Sequence, residues 1–168
     1  SGIDSKRVAS ISLSSQAETL VLLDQDNQPL RKAISWLDNR SQSECQQIKN
    51  QFSPEESYHI TGQPEVITTW PVTKIIWIKK NEPDIFKRVH KFLLLKDYIV
   101  YKFTGRFMSE YTVYNFSYYF NIITKQYWPQ MLEFAGIDAD QLPQLVEPGY
   151  SVKAVDKAIV EKFGLTLA

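Results

Sequence analysis

The chain has 168 residues, and its 19 lysines and arginines balance its 19 aspartates and glutamates to a formal net charge of zero. That length suits one domain or a piece of a larger protein, and 43% apolar with 23% charged residues excludes disorder as the main state. The neutral balance argues against a nucleic-acid binder driven by phosphate neutralisation, the single cysteine (Cys45) excludes an internal disulfide framework, and aliphatic runs such as Leu20 to Leu23 fall far short of the roughly 20 residues a membrane-spanning helix needs. No membrane partner and no signal peptide are expected, and a reducing cytoplasm is the expected compartment.

The first third reads as sheet. Arg7-Val-Ala-Ser-Ile-Ser-Leu13 alternates with period two, as in a strand with one buried face. Glu18-Thr-Leu-Val-Leu-Leu23 is continuously apolar after Thr19, as in a strand covered on both faces. The turn cluster Asp24 to Pro29 then joins that strand to Leu30 through Trp36 as a hairpin. Three adjacent strands are expected over residues 7–36, with the last pair antiparallel.

From residue 39 to 168 the expectation is mostly helix. Ser41-x-x-Glu44 fits a capping box ahead of Cys45, Ile48 and Phe52 on one helical face. Ser53-Pro54-Glu55-Glu56 repeats the pattern, with serine as N-cap and proline in the first turn. Pro71 opens a third helix, which stops before Pro83 because the residue preceding proline resists helical angles. Lys91 to Phe103 reads as a central helix closed by Gly105. Tyr111 to Trp128 is aromatic and loop-like, and its lack of Lys or Arg before Phe120 favours core or interface packing over base stacking. Short helices are expected at Pro129 to Phe134 and Val155 to Phe163. The fold class is therefore α/β, a small three-stranded sheet followed by mostly helix. The abrupt ends, Ser1-Gly-Ile-Asp and Gly164-Leu-Thr-Leu-Ala168, suggest a piece of a longer protein.

Several chemistries lack their residues. Two histidines and one cysteine do not make a zinc site at ligand spacing, and there is no phosphate-cradling glycine loop and no Gly-x-Ser-x-Gly elbow. Tyr98-x-x-x-Lys102 has the tyrosine–lysine spacing of a dehydrogenase but no dinucleotide turn beside it. Cys45 lies on an apolar helical face, the place of a structural thiol.

Two stretches remain: Ser14-Ser-Gln-Ala-Glu-Thr19 with Ile34-Ser-Trp-Leu-Asp-Asn-Arg40, and Pro71-Val-Thr-Lys-Ile-Ile-Trp-Ile-Lys-Lys-Asn81. Together they resemble the FGGY family of carbohydrate kinases. Pro71, Lys74, Ile75, Trp77, Ile78, Lys80 and Asn81 fill the family's signature, while Thr69 departs from the residues it prefers at that position. Leu95-Lys-Asp-Tyr, Phe103-Thr-Gly, Ser109-Glu-Tyr-Thr, Leu142-Pro, Pro148-Gly and Gly164-Leu follow in family order, so the resemblance covers nearly the whole chain.

The resemblance implies part of a ribonuclease H-like (actin/hexokinase-type) N-terminal domain, the sugar-binding lobe of an enzyme that transfers the γ-phosphate of ATP, with Mg²⁺, to a hydroxyl of an open-chain sugar, sugar acid or polyol. The family's Asp-x-Gly-Thr turn and Gly-Asp segment do not occur here, so ATP and Mg²⁺ are expected to bind elsewhere in the parent, and this chain alone is expected to be inactive. It further implies that Gln16, Glu18, Trp36, Asp38, Arg40, Thr69 and Trp70 face the substrate. Ala17 stands where glycerol kinases carry arginine, which disfavours glycerol.

A carboxylate such as Glu18 suits this role because it accepts strong bonds from sugar hydroxyls, and an indole offers both an apolar face and a donor. Blander readings stand beside these: Glu18 as a solvated strand-edge residue, Trp36 as core, Asp38 and Arg40 as a pair capping the next helix, and Lys74 and Trp77 as surface charge and packing. A non-catalytic, kinase-derived sugar-binding or protein-interaction module is the alternative function. A homodimer is an open expectation.

Overall fold

In the computed structural model, which describes residues 4–152 and 157–164, Leu20–Leu23 form strand β1 with all four side chains buried. The continuous apolar run has its reason in what lies on each face. Leu20 and Leu22 point into the large core, whereas Val21 and Leu23 join Leu93 in a second cluster with Tyr98, Tyr101 and Phe107.

The partner of β1 is not the segment before it but Lys91–Leu94, strand β2, paired antiparallel with Leu20 opposite Leu94 and Leu23 opposite Lys91. Residues 91–94 were expected to begin a helix. They form a strand because Phe92, Leu93 and Leu94 are fully buried against both clusters, which only an extended segment beside β1 allows. The helix starts one step later, as α5 over Leu95–Thr104. The other edge of β1 meets the expected hairpin arm only at single bridges, Leu20 to Ile34 and Leu23 to Pro29. Asp24 closes the turn between them by accepting the amides of Asp26 and Gln28.

The strand expected over residues 7–13 is absent. Ser5–Arg7 form a single 3-10 turn and residues 8–13 are irregular, with Val8 and Ile11 exposed. Alternation prepares a strand, but with both edges of β1 occupied by residues 29–34 and 91–94 this segment has no neighbour to pair with among the described residues. The three-stranded sheet of residues 7–36 is thus replaced by a layer of β1, β2 and the bridged arm.

Three helices cover the large-core side: α1 (Gln42–Gln51), α2 (Pro54–Thr61) and α3 (Pro71–Asn81). Ser53 caps α2 by accepting the Glu56 amide at 3.1 Å, as expected. Gly62, at φ 70°, ends it in a left-handed conformation that glycine adopts without steric cost. The capping box expected at Ser41 does not form; the Ser41 hydroxyl is buried and bonds Thr73 Oγ1 of α3 at 2.8 Å instead. A short helix, α4 (Pro83–Phe86), follows where Pro83 stops α3.

Beyond α5, the region expected to be helical or loop-like also holds small sheets: β3 (Met108–Glu110) runs parallel to β6 (Gln144–Val146), and β4 (Phe120–Asn121) is antiparallel to β5 (Gln126–Tyr127). Helices α6 (Tyr111–Tyr114) and α7 (Pro129–Ala135) complete this half, and α8 (Lys157–Phe163) follows; Val155 and Asp156 of the expected last helix lie outside the described residues. Much of the aromatic run is core, although Phe116 is exposed. Tyr114, Tyr118, Tyr119, Phe120 and Trp128 are buried, and Trp128 meets Phe52 edge-on at 4.8 Å. Among the described residues no helix is long and apolar enough to cross a membrane.

Candidate functional site

Glu18 and Trp36 flank the β1 layer at one end. Leu20 and Ile34 exchange both backbone bonds at 2.9 Å, and two residues beyond that bridge in the two antiparallel segments are Glu18 and Trp36. Glu18 is half-buried, and burial pushes its carboxyl above the ordinary range against its own backbone bond and the field of Lys74. Trp36 lies in a turn and is 38% exposed, so it is not a core tryptophan. Gln16, two residues before Glu18, is exposed.

The turn after Trp36 carries the charged pair. Asp38 accepts from Arg40 three times: the amide at 3.0 Å, Nε at 2.8 Å and a terminal nitrogen at 2.7 Å. This fork holds the Asp38 carboxyl below the usual carboxylate range. The pair does not cap α1, whose N-cap is Ser41. The Arg40 guanidinium instead lies over the Trp77 ring, 4.7 Å from its centre, and so ties this turn to α3.

The third wall is the loop into α3. Thr68 donates its hydroxyl to Asn39 Oδ1 at 2.7 Å, and Pro71 fixes the first turn of the helix. Thr69 is half-buried. Trp70 is turned inward: it is 8% exposed, its indole N–H donates to the Glu65 carbonyl at 3.0 Å, and its ring lies 6.2 Å from that of Phe116.

Lys74 joins the three walls. The expectation that it lends surface charge is overturned, because the residue is 0% exposed. Its ammonium donates to the Thr68 carbonyl and, at 3.1 Å, to the Thr69 carbonyl. Burial lowers it to about 8, while Asp38, Cys45 and Glu18 hold its proton on and Arg40 opposes them. Glu18, Asp38, Arg40 and Lys74 are therefore one electrostatic group. The sequence carried a signal for this: positions 71, 74, 75 and 78 follow helical spacing, and all four are buried, so Lys74 lies on the apolar stripe of α3.

Two clefts lie elsewhere, one of about 280 Å³ beside Ile48, Phe52 and Tyr118 and one of about 500 Å³ beside Lys91, Phe107 and Tyr127. Neither is lined by the residues expected to face a substrate. Among the described residues no three of His, Cys, Asp and Glu gather to hold a metal ion.

Comparison with known proteins bears on this arrangement. Residues 1–168 match the model of the FGGY family of carbohydrate kinases, N-terminal domain. A xylulose kinase of Bacillus subtilis is 34% identical over 165 residues, which are 98% of this chain and 33% of that protein. A gluconokinase of the same organism is 30% identical over 141 residues, 84% of this chain and 27% of that protein. The crystal structure of gluconate kinase from Lactobacillus acidophilus superposes with a TM-score of 0.90 at 29% identity, over 98% of this chain and 33% of that one. The chain thus spans about a third of the length of the curated relatives it matches.

Proposed function

Since the chain belongs to the FGGY family of carbohydrate kinases, with the α/β fold of their N-terminal domains, we propose that it is the sugar-binding lobe of an ATP-dependent kinase acting on an open-chain sugar, sugar acid or polyol of the xylulose or gluconate kind. The parent would work in the cytoplasm.

The observation that carries this reading is the group of Glu18, Asp38, Arg40 and Lys74 beside an exposed indole. A polyhydroxylated substrate offers many donors and acceptors and one face of C–H groups. Glu18, half-buried before β1, accepts hydroxyl hydrogens; the Asp38–Arg40 fork presents acceptor and donor edges at fixed spacing; Trp36 covers the apolar side. Deoxy analogues are rejected because they leave such groups unpaired once the substrate covers them, at about 1–3 kcal/mol each.

The described residues do not fit ATP or Mg²⁺: there is no glycine-rich phosphate loop and no acidic cluster for the metal. Nucleotide, metal and catalytic base belong to the rest of the parent in this reading, and this chain contributes the position of the acceptor hydroxyl. Phosphoryl transfer depends chiefly on positioning and charge neutralisation, so the lobe alone is inactive.

The test is a thermal-shift and coupled phosphorylation screen of the parent kinase with ketopentoses, aldonic acids and polyols. The reading expects one class to raise the melting temperature and to be phosphorylated, and Glu18→Gln to weaken both responses at least about tenfold. If no sugar is bound or phosphorylated, the assignment is wrong.

A further inference from the structure

Lysine is almost never fully buried unless it is paired, because its ammonium must replace three bonds to water. In Lys74 two of those donors go to the carbonyls of Thr68 and Thr69, the two residues immediately before Trp70. The remaining compensation is electrostatic. The charged and titratable groups facing the ammonium are Glu18 ahead of β1, Asp38 and Arg40 from the turn, and Cys45 from α1.

Stability alone gives no reason for a charge at this place. Replacing a buried ionic group together with its partners by apolar residues of similar volume is often neutral or stabilising, and Ile75 and Ile78 on the same stripe are fully buried. Asp38 would keep its Arg40 fork without Lys74, and the Thr68 carbonyl would keep the Thr73 hydroxyl at 3.3 Å. Thr68 also reaches the turn through Asn39, and what Lys74 adds is a buried charge that bonds the 68–69 loop and at the same time feels Glu18 and Asp38 from two other segments. We infer that Lys74 is a positioning residue for the sugar subsite, its buried ammonium holding the Thr68–Thr69 loop against the segments that carry Glu18 and Asp38, in the arrangement that receives the substrate. This rests on the sugar-binding reading above and adds to it a residue that touches no sugar.

Lys74→Met in the parent kinase tests this by a split between substrates. The sugar KM rises at least about tenfold, since small misplacements of a binding group have effects of that size. The ATP KM stays within about twofold, whatever the change in melting temperature. A second measurement needs no variant: the wild-type sugar KM is flat at neutral pH and climbs as pH passes about 8, when the ammonium loses its proton. The ATP KM followed over the same range controls for titration of the nucleotide.

An unchanged sugar KM in Lys74→Met, or a wild-type sugar KM flat to pH 9.5, would overturn the inference while leaving the sugar-binding reading intact. If the wild type accepts no sugar at all, both fall together. Should Lys74→Met fail to fold, the wild-type profile decides.

Discussion

Trp128, Trp70, Trp77 and Trp36 occupy four different kinds of place. Trp128 is 2% exposed and wedged against Phe52, Trp70 is buried with its N–H on the Glu65 carbonyl, Trp77 is half-buried beneath the Arg40 guanidinium, and Trp36 is 38% exposed with no place in the core. Their substitutions should therefore separate. Trp128→Ala loses a packed aromatic and should cost about 3–5 kcal/mol in a denaturant titration. Trp36→Ala should change stability by less than about 0.5 kcal/mol and still abolish the thermal response to sugar. Equal losses of stability in the two variants would return Trp36 to a structural role. Ser41 belongs to the same scale. Its hydroxyl was expected to cap a helix and instead bonds Thr73 across two helices, so Ser41→Ala should cost about 1 kcal/mol through that contact, although Thr73 keeps the Trp70 carbonyl at 2.9 Å.

Helix α5 begins on a buried carboxyl. Asp97 accepts the Leu94 amide at 2.9 Å and the Tyr114 hydroxyl at 2.8 Å, and its burial raises it to about 6 despite those bonds and the nearby Lys96. A carboxyl raised in the folded state favours the protonated form, so its contribution to stability is complete below the unfolded value of about 3.8 and is lost as pH climbs through about 6. Asp97→Asn keeps an acceptor for both donors and should remove a pH dependence of the order of 2–3 kcal/mol between about pH 4 and 6, measured as chemical stability across that window. A variant with the same slope as the wild type would assign that slope to other groups. The sequence showed where α2, α3 and α5 begin or end, because Ser53, Pro54, Pro71, Pro83 and Gly105 act through local backbone geometry. It also showed β1, whose apolar run is too short for a helix. It did not show β2, since Phe92-Leu-Leu94 reads equally as strand or buried helix until its partner some seventy residues earlier is known. The candidate site divides the same way. Glu18, Trp36, Asp38 and Arg40 were legible as a motif, but the burial of Lys74 among them depends on three segments meeting in space.

At the scale of the molecule, β1 is the element on which the rest is hung. Its edges are bonded from both sides: the Thr19 carbonyl takes the Leu95 amide, Leu20 exchanges bonds with Ile34, the Leu22 carbonyl takes the Leu30 amide and the Leu23 carbonyl takes the His90 amide, all at 2.8–3.0 Å. Its two faces feed both apolar clusters, so it cannot open without parting α1 and α3 from α5. Residues 8–13 alternate apolar with polar side chains and have none of these partners, and Ile11 is 49% exposed. Amide exchange should then follow bonding and not hydrophobicity: amides of residues 20–23 and 91–94 exchange only through global unfolding, while those of 9–13 exchange at close to the unprotected rate. Followed by mass spectrometry on proteolytic fragments, equal protection of the two segments would mean that 8–13 is paired in solution, and the sheet expected from its alternating pattern would be restored.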